Sequence, residues 1–442
     1  MASSLSERQK DELHKSILDY LRANGLTESF ETLKIEANQT DFAPDPKAKW
    51  AGLLEKKWTS VIRLQKKIME LEQRNAQLLE ELSTSRLNPA SSRNSIDWLP
   101  RAPARHSLSG HRAPVTRVAF HPTWNVVASA SEDSSIKIWD WETGEFERTL
   151  KAHTKAVQDC DYDSKGQYLV SCSSDLTIKL WDVENEYSSS KTFHGHDHSI
   201  SSVRFLPGDA QIVSASRDQS IKIWEIASGH CVKTLLGHTE WVRSVIPATD
   251  ARLVLSCSND QTARLWDTTS GETRMDFRGH EHVVETAIFA PANAAPSIRE
   301  LAGLGTAPRE GRNIPSSSFV VTGSRDKTIR IWDSQTGQCL KTLTGHDNWV
   351  RALVFHPTGK FLLSASDDKT IRIWDLATGR CTKTIEAHAH FITCMSWGRT
   401  TIAGPQQNGS EGKVDGQAQE NRRLVNVLAT GSVDQTLKIW LP

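Results

Sequence analysis

The run Gly237-His238-Thr239-Glu240-Trp241-Val242-Arg243, continued by Leu253-Val254-Leu255-Ser256-Cys257-Ser258-Asn259-Asp260 and closed by Ala263-Arg264-Leu265-Trp266-Asp267, sets out one complete structural unit. A Gly-His pair opens it, an apolar run ends in Ser-x-Ser, and an aspartate stands six residues before a tryptophan. The same grammar recurs outward in both directions. The tryptophans are Trp139, Trp181, Trp224, Trp266, Trp332, Trp374 and Trp440, with four spacings of 42 or 43 residues and two of 66. The aspartates are Asp133, Asp175, Asp218, Asp260, Asp326, Asp368 and Asp434, and the opening histidines are His111, His153, His196, His238, His280, His346 and His388. Alternating segments such as Ile136-Lys137-Ile138-Trp139 read as half-buried strands, and Asp-x-(Ser/Thr) before them reads as a tight turn. A unit of four short strands cannot bury both of its faces alone, so seven of them must stack around an axis.

This grammar resembles that of the WD-repeat family over residues 104–442, which implies a seven-bladed β-propeller. In that family the histidine, hydroxyl, aspartate and tryptophan of each unit form one buried hydrogen-bonded set. Ala152 and Ala387 replace the opening glycine in two units, and the last unit ends in Leu441 rather than aspartate, which puts local turns in question. The two long spacings place extra residues in 291–318 and 398–423, both rich in small and polar residues, which read as mobile loops on one shared face. The final unit stops after three strands, and Arg105-His106-Ser107-Leu108 can supply the fourth and close the ring, removing an open edge.

The first hundred residues read differently. Ser6-Glu7-Arg8-Gln9 has the form of a capping box, and Gly25 sits where a helix should stop. Leu13, Ile17, Tyr20 and Leu21 repeat at helical spacing; Thr27 can cap a second helix bearing Phe30, Leu33 and Ala37. Two such helices bury too little surface alone, so pairing with a second copy is expected. The pattern resembles the LisH dimerisation motif over residues 1–40; an ordinary helical hairpin docked on the propeller is the alternative. Residues 50–82 then carry heptads with Leu54, Val61, Ile68, Asn75 and Leu82 at a, and Lys57, Leu64, Leu71 and Leu78 at d. A lone Asn75 at a favours a short parallel two-stranded coil. Residues 83–103, with their prolines, serines and arginines, read as a flexible linker. The expected architecture is thus an all-β propeller with an N-terminal α-helical dimerisation device.

Composition narrows the function. Lysine plus arginine number 53, as do aspartate plus glutamate. A balanced charge offers no general attraction to nucleic acid or anionic lipid. Met1–Lys15 is polar, so no secretory leader is expected, and no apolar run approaches the roughly 20 residues of a membrane span. The seven cysteines form no CxxC pair and read as reduced, buried small residues. Seven of the 16 histidines are the repeated opening residues, so they read as architecture rather than catalysis. With no glycine-rich phosphate loop, no Gly-x-Ser-x-Gly elbow and no HExxH, neither an enzyme nor a cofactor is expected.

Comparing equivalent loops shows where a partner would dock. Three residues after each opening histidine stand Pro114, Ala156, Ser199, Trp241, Val283, Trp349 and Phe391. Two further on stand Thr116, Gln158, Ser201, Arg243, Glu285, Arg351 and Thr393. Just before each aspartate stand Glu132, Ser174, Arg217, Asn259, Arg325, Asp367 and Val433. All three sets should open on one face, opposite the two insertions. Tryptophan and arginine, the residues most enriched in interface hot spots, gather in units three to six. The alternative is that Trp241 and Trp349 only cover the blade tops.

The whole arrangement is similar to the lissencephaly protein/nuclear distribution family, notably in Gly237–Arg243, Gly345-His346-Asp347-Asn348-Trp349-Val350-Arg351 and Gly431-Ser432-Val433-Asp434-Gln435-Thr436. The resemblance implies a dimeric regulator that binds the motor domain of the cytoplasmic dynein heavy chain, with Arg217, Arg243, Arg325, Trp349 and Lys369 in contact. It also implies a coiled-coil partner of the same nuclear-distribution pathway, and the microtubule plus-end machinery. Cytoplasmic location at plus ends and the spindle pole, nuclear migration, spindle positioning and mitosis follow from it. The long insertions depart from the animal members and look like a fungal elaboration. Two other roles are compatible with a propeller on an N-terminal module: the substrate receptor of a ubiquitin ligase, and the non-catalytic subunit of an acetylhydrolase complex.

Overall fold

The computed structural model describes residues 7–39, 42–43, 54, 67–69, 71, 98–304, 317–403 and 422–441. The chain divides into two compact units, Met1–Arg93 and Asn94–Pro442.

The first unit begins with a helical hairpin of α1 (Glu7–Ala23) and α2 (Thr27–Glu36). Gly25, at φ +74°, lets the chain reverse, and the Leu26 amide bonds back to the Leu21 carbonyl at 2.9 Å. That is the six-to-one closure of a glycine stop. Thr27 does not cap α2: it lies inside the first turn, Leu26 holds the cap position, and no side-chain bond is made there. Leu18 and Phe30 are buried, Phe30 meeting the Phe42 ring at 6.1 Å. Leu18 is the core residue that the helical spacing passed over. Ile17, Leu21 and Leu33 are half-buried, whereas Leu13 and Tyr20 are 40% and 37% exposed. Of the expected coil, Val61, Leu64, Asn75 and Leu78 lie outside the described residues; Leu54, Ile68 and Leu71 are helical.

The second unit contains seven four-stranded antiparallel sheets. Blades 1 to 6 span residues 115–150, 157–194, 200–236, 242–277, 284–343 and 350–386, each running from an inner to an outer strand. Blade 7 takes its inner three strands from Ile392–Ala403, Arg422–Ser432 and Thr436–Trp440, and its outer strand from His106–Ser109. Leu108 pairs with Leu437 there, so the ring closes as expected, one residue further along the chain. Second strands such as Val126–Ser131 are buried at every position, because both faces of the blade lie against neighbours.

Three further expectations, all concerning the propeller unit, need correction. The linker was expected to reach residue 103, but the chain is packed on the propeller from Trp98. The Trp98 indole donates to the Asn426 carbonyl at 3.0 Å, and Trp98 and Leu99 pack with buried residues of blades 6 and 7. The first insertion opens in regular structure: a 3-10 turn, Ala292–Ala294, leads into α3 (Ala295–Leu301). Its Ala294, Ala295 and Ile298 are buried with Phe319, Trp374 and Leu376, across blades 5 and 6. A short stripe of alanines in a proline-rich stretch carries too little periodicity to reveal such a helix. The second insertion begins and ends as strand, with Ala403 paired to Arg422. Residues 305–316 and 404–421 lie outside the described residues.

Candidate protein-binding face

Each blade is held by a hydrogen-bonded chain. In blade 4 the Trp266 indole donates to Ser256 Oγ at 2.8 Å, and Ser256 meets His238 Nε2 at 2.7 Å. His238 Nδ1 lies 2.7 Å from Asp260 Oδ2. With the carboxylate accepting from Nδ1, the neutral ring accepts the serine proton at Nε2. All seven blades carry this set, with Thr322 and Thr430 replacing serine in blades 5 and 7. Burial works to raise the Asp133 carboxyl, but bonds from Ser135, the Arg112 amide and His111 outweigh it and bring it down to about 2. The opening histidines are therefore structural members of the blade.

The same turns aim other side chains at the ring's mouth. In every blade the register between the first two strands slips by one residue, as between Val242 and Ser244 in blade 4. The residue left unpaired is Thr116, Gln158, Ser201, Arg243, Glu285, Arg351 or Thr393. A bulge bends the strand and re-aims the extra side chain. Here it turns one residue per blade toward the face that also carries the turns before the aspartates. In three blades the bulge residue bears a hydroxyl that binds the next blade: Thr116 to the Val157 carbonyl at 2.8 Å, and Ser201 and Thr393 to those of Val242 and Val115. These hydroxyls stitch the ring. Gln158 and the charged bulge residues of blades 4 to 6 do not take that place.

Two arginine–tryptophan groups result. Arg217, from the turn of blade 3, places its guanidinium carbon 4.6 Å from the Trp241 ring centre, with Arg243 at 5.7 Å. Arg325, from the turn of blade 5, lies 4.1 Å from the Trp349 ring centre, with Arg351 at 4.9 Å. Carboxylates and an amide orient the cations. Arg243 Nε donates to Asn259 Oδ1 at 2.6 Å, Arg351 makes a forked pair with Asp367, and Arg325 Nε pairs with Glu285. Burial lowers Arg243 from its ordinary value; Glu285 opposes that shift, and the like charges of Arg325, Arg217 and Arg351 add to it. Burial also raises the Asp367 carboxyl against the pull of Arg351.

The structure thus brings together six of the residues singled out from the loops: Arg217, Trp241, Arg243, Arg325, Trp349 and Arg351. Lys369 stands apart. It occupies the left-handed third position of its turn at φ +68°, exposed, and takes part in none of these stacks or pairs. Glu285 and Asp367 belong to the same cluster through their pairs with Arg325 and Arg351, and the loop comparison gave them no role. Their signal was charge opposite to the arginines at equivalent positions. A cleft of about 250 Å³ at this mouth is lined by Arg217, Trp241, Arg243, Glu285 and Arg351, among others.

Residues 7–42 match a family model described as the PAC1 LisH domain. Segments 103–140, 144–182, 187–225, 229–267, 312–333 and 337–375 match the WD domain, G-beta repeat. The chain is similar to the nuclear distribution protein PAC1 of Coprinopsis cinerea, with 61% identity covering all of both chains. It is 64% identical to the protein of that name from Mycosarcoma maydis, across all of this chain and 97% of the relative. The counterpart in Cryptococcus neoformans var. neoformans serotype D is 60% identical over the full length of both.

Proposed function

The chain belongs to the nuclear distribution protein PAC1 family, and from that premise we propose that it is a non-enzymatic, dimeric adaptor whose Trp241–Trp349 face binds the cytoplasmic dynein motor domain. The observation that carries this reading is the convergence of two tryptophans, each stacked with two arginines, on one side of one face. Aromatic anchors flanked by arginine are the commonest hot-spot chemistry, and stacking pre-organises both groups for a partner. Lys369 and the exposed edges of the arginines serve the rim. In this role the protein acts at microtubule plus ends and the spindle pole, with a coiled-coil partner of its pathway, in nuclear migration, spindle positioning and mitosis. The dimer presents two such faces to one motor or to two.

The test is binding of a purified dynein motor domain to variants whose melting is unchanged. Trp349→Ala should weaken binding by about 2 kcal/mol, roughly thirtyfold. Arg243→Ala should also weaken it, since it removes a cleft cation that Asn259 already holds beside the Trp241 ring. Gln158→Ala is the control, because Thr116 is committed to stitching blades 1 and 2. Wild-type affinity in both Trp349→Ala and Arg243→Ala would assign binding to another surface.

A further inference from the structure

Four guanidiniums share this part of the face, with two carboxylates set among them, and of these Glu285 alone is paired with two of the arginines. Glu285 is the bulge residue of blade 5, and its side chain is only 8% exposed. It pairs with Arg325 Nε and lies 3.7 Å from Arg351 Nη1. Those two arginines are the ones stacked on Trp349. The other six bulge residues are neutral or basic, so Glu285 is the sole acid of that ring of positions. Arg351 has a second anchor in Asp367, whereas among the described residues the ion pair of Arg325 is with Glu285 alone. Without this carboxylate, the arginines would repel one another across a partly desolvated cleft.

We infer that Glu285 is a positioning residue of this face: its carboxylate, against both Arg325 and Arg351, holds the two guanidiniums on the Trp349 ring before any partner arrives. The inference rests on the reading of this face as the partner surface. Pre-organisation of this kind strengthens binding by lowering the ordering cost at encounter. Glu285→Gln keeps the size of the side chain and removes its charge, so Arg325 should leave the ring first. Arg325→Lys reaches the same state from the other partner, since an ammonium cannot reproduce the planar fork.

The experiment uses the full-length protein with Glu285→Gln, Glu285→Asp, Arg325→Lys, Trp349→Ala and the Glu285→Gln/Trp349→Ala double variant. Acrylamide quenching, taken as the difference between each protein and its Trp349→Phe counterpart, reports the accessibility of that one ring. Quenching should rise in Glu285→Gln and in Arg325→Lys. Binding of the purified dynein motor domain should fall about tenfold in Glu285→Gln, recover in part in Glu285→Asp, and fall no further when Glu285→Gln is added to Trp349→Ala. Unchanged quenching in both charge variants overturns the inference, as does a further tenfold loss in the double variant. If quenching rises while neither Glu285→Gln nor Trp349→Ala alters motor binding, the positioning role stands and the partner reading falls.

Discussion

Lys383 Nζ donates a 2.8 Å hydrogen bond to the Pro100 carbonyl, fastening the outer strand of blade 6 to the segment that precedes the ring. Elsewhere such lysines reach the last turn of the next blade: Lys191 binds the Ile226 carbonyl at 2.8 Å, and Lys233 that of Thr268 at 2.9 Å. Blade 7 has no such turn, because its last two strands come from opposite ends of the propeller chain. Pro100 takes its place.

The segment from Trp98 should therefore contribute to stability as part of blade 7. His356 Nε2 also donates to the Trp98 carbonyl at 3.0 Å, and the Trp98 and Trp397 rings meet edge to face at 5.6 Å. Deleting residues 1–97 should leave the melting temperature of the propeller unchanged, and deleting 1–104 should lower it. Trp98→Ala should cost about 2 kcal/mol in urea denaturation. Identical melting of both truncations would show that the segment merely rests on the surface.

Ser256→Ala should strand two buried groups at once, the Trp266 indole N–H and the His238 Nε2. Unmet buried polar groups are costly, and the pair together should destabilise by about 3 kcal/mol. A shift of the denaturation midpoint with an unchanged slope is the expected signature. A loss under about 0.5 kcal/mol would mean that the blade repacks around the gap.

Acid should weaken the ring in two stages. The Asp133 carboxyl is lowered to about 2 from 3.8, so its stabilisation is complete above 3.8 and is lost as pH falls toward 2. His111 is lowered from 6.5 by burial, against the pull of Asp133, so its contribution is complete above 6.5 and erodes below it. Melting temperature measured from pH 8 downward should be level to about 6.5, decline gently, then drop steeply below about 4. A level profile down to pH 3 would refute this assignment.

Pairing of the N-terminal hairpins should depend on Leu13 and Tyr20, the large apolar residues of α1 that its own fold leaves exposed. Leu13→Asp or Tyr20→Asp in the full chain should yield monomers by light scattering while helicity is retained, since a buried unpaired charge is costly at a small interface. Leu18→Asp should instead reduce helicity, because Leu18 is already buried within one chain. Dimers persisting in both exposed-site variants would place the pairing surface elsewhere.

Legibility differed from element to element. Leu13, Ile17 and Tyr20 were readable as an apolar helix face, yet which of them face inward was not, and Leu18 escaped notice between Ile17 and Asp19. Trp98 sat in a stretch whose prolines and serines suggest an open tether, and its partners are hundreds of residues away, among them Asn426 and His356. Arg243 and Arg351 were found by comparing equivalent positions, but they were read as loop residues rather than as bulges in a strand pair.

By itself the sequence determined the number of blades and which loop positions are equivalent from blade to blade; the hydrogen-bonded set of each blade was what the resemblance to the WD-repeat family implied. Repetition carries that information locally: a unit with two apolar faces, repeated at 42 or 43 residues, has stacking as its only means of burial. Only the tertiary structure decided which side chains on the candidate binding face meet. Arg217 reaches Trp241 and Arg325 reaches Trp349 from neighbouring blades, and Glu285 lies between cations of two blades. Those meetings depend on where a bulge turns a side chain and on how one blade is rotated against the next. Neither is written in the spacing of residues within a unit.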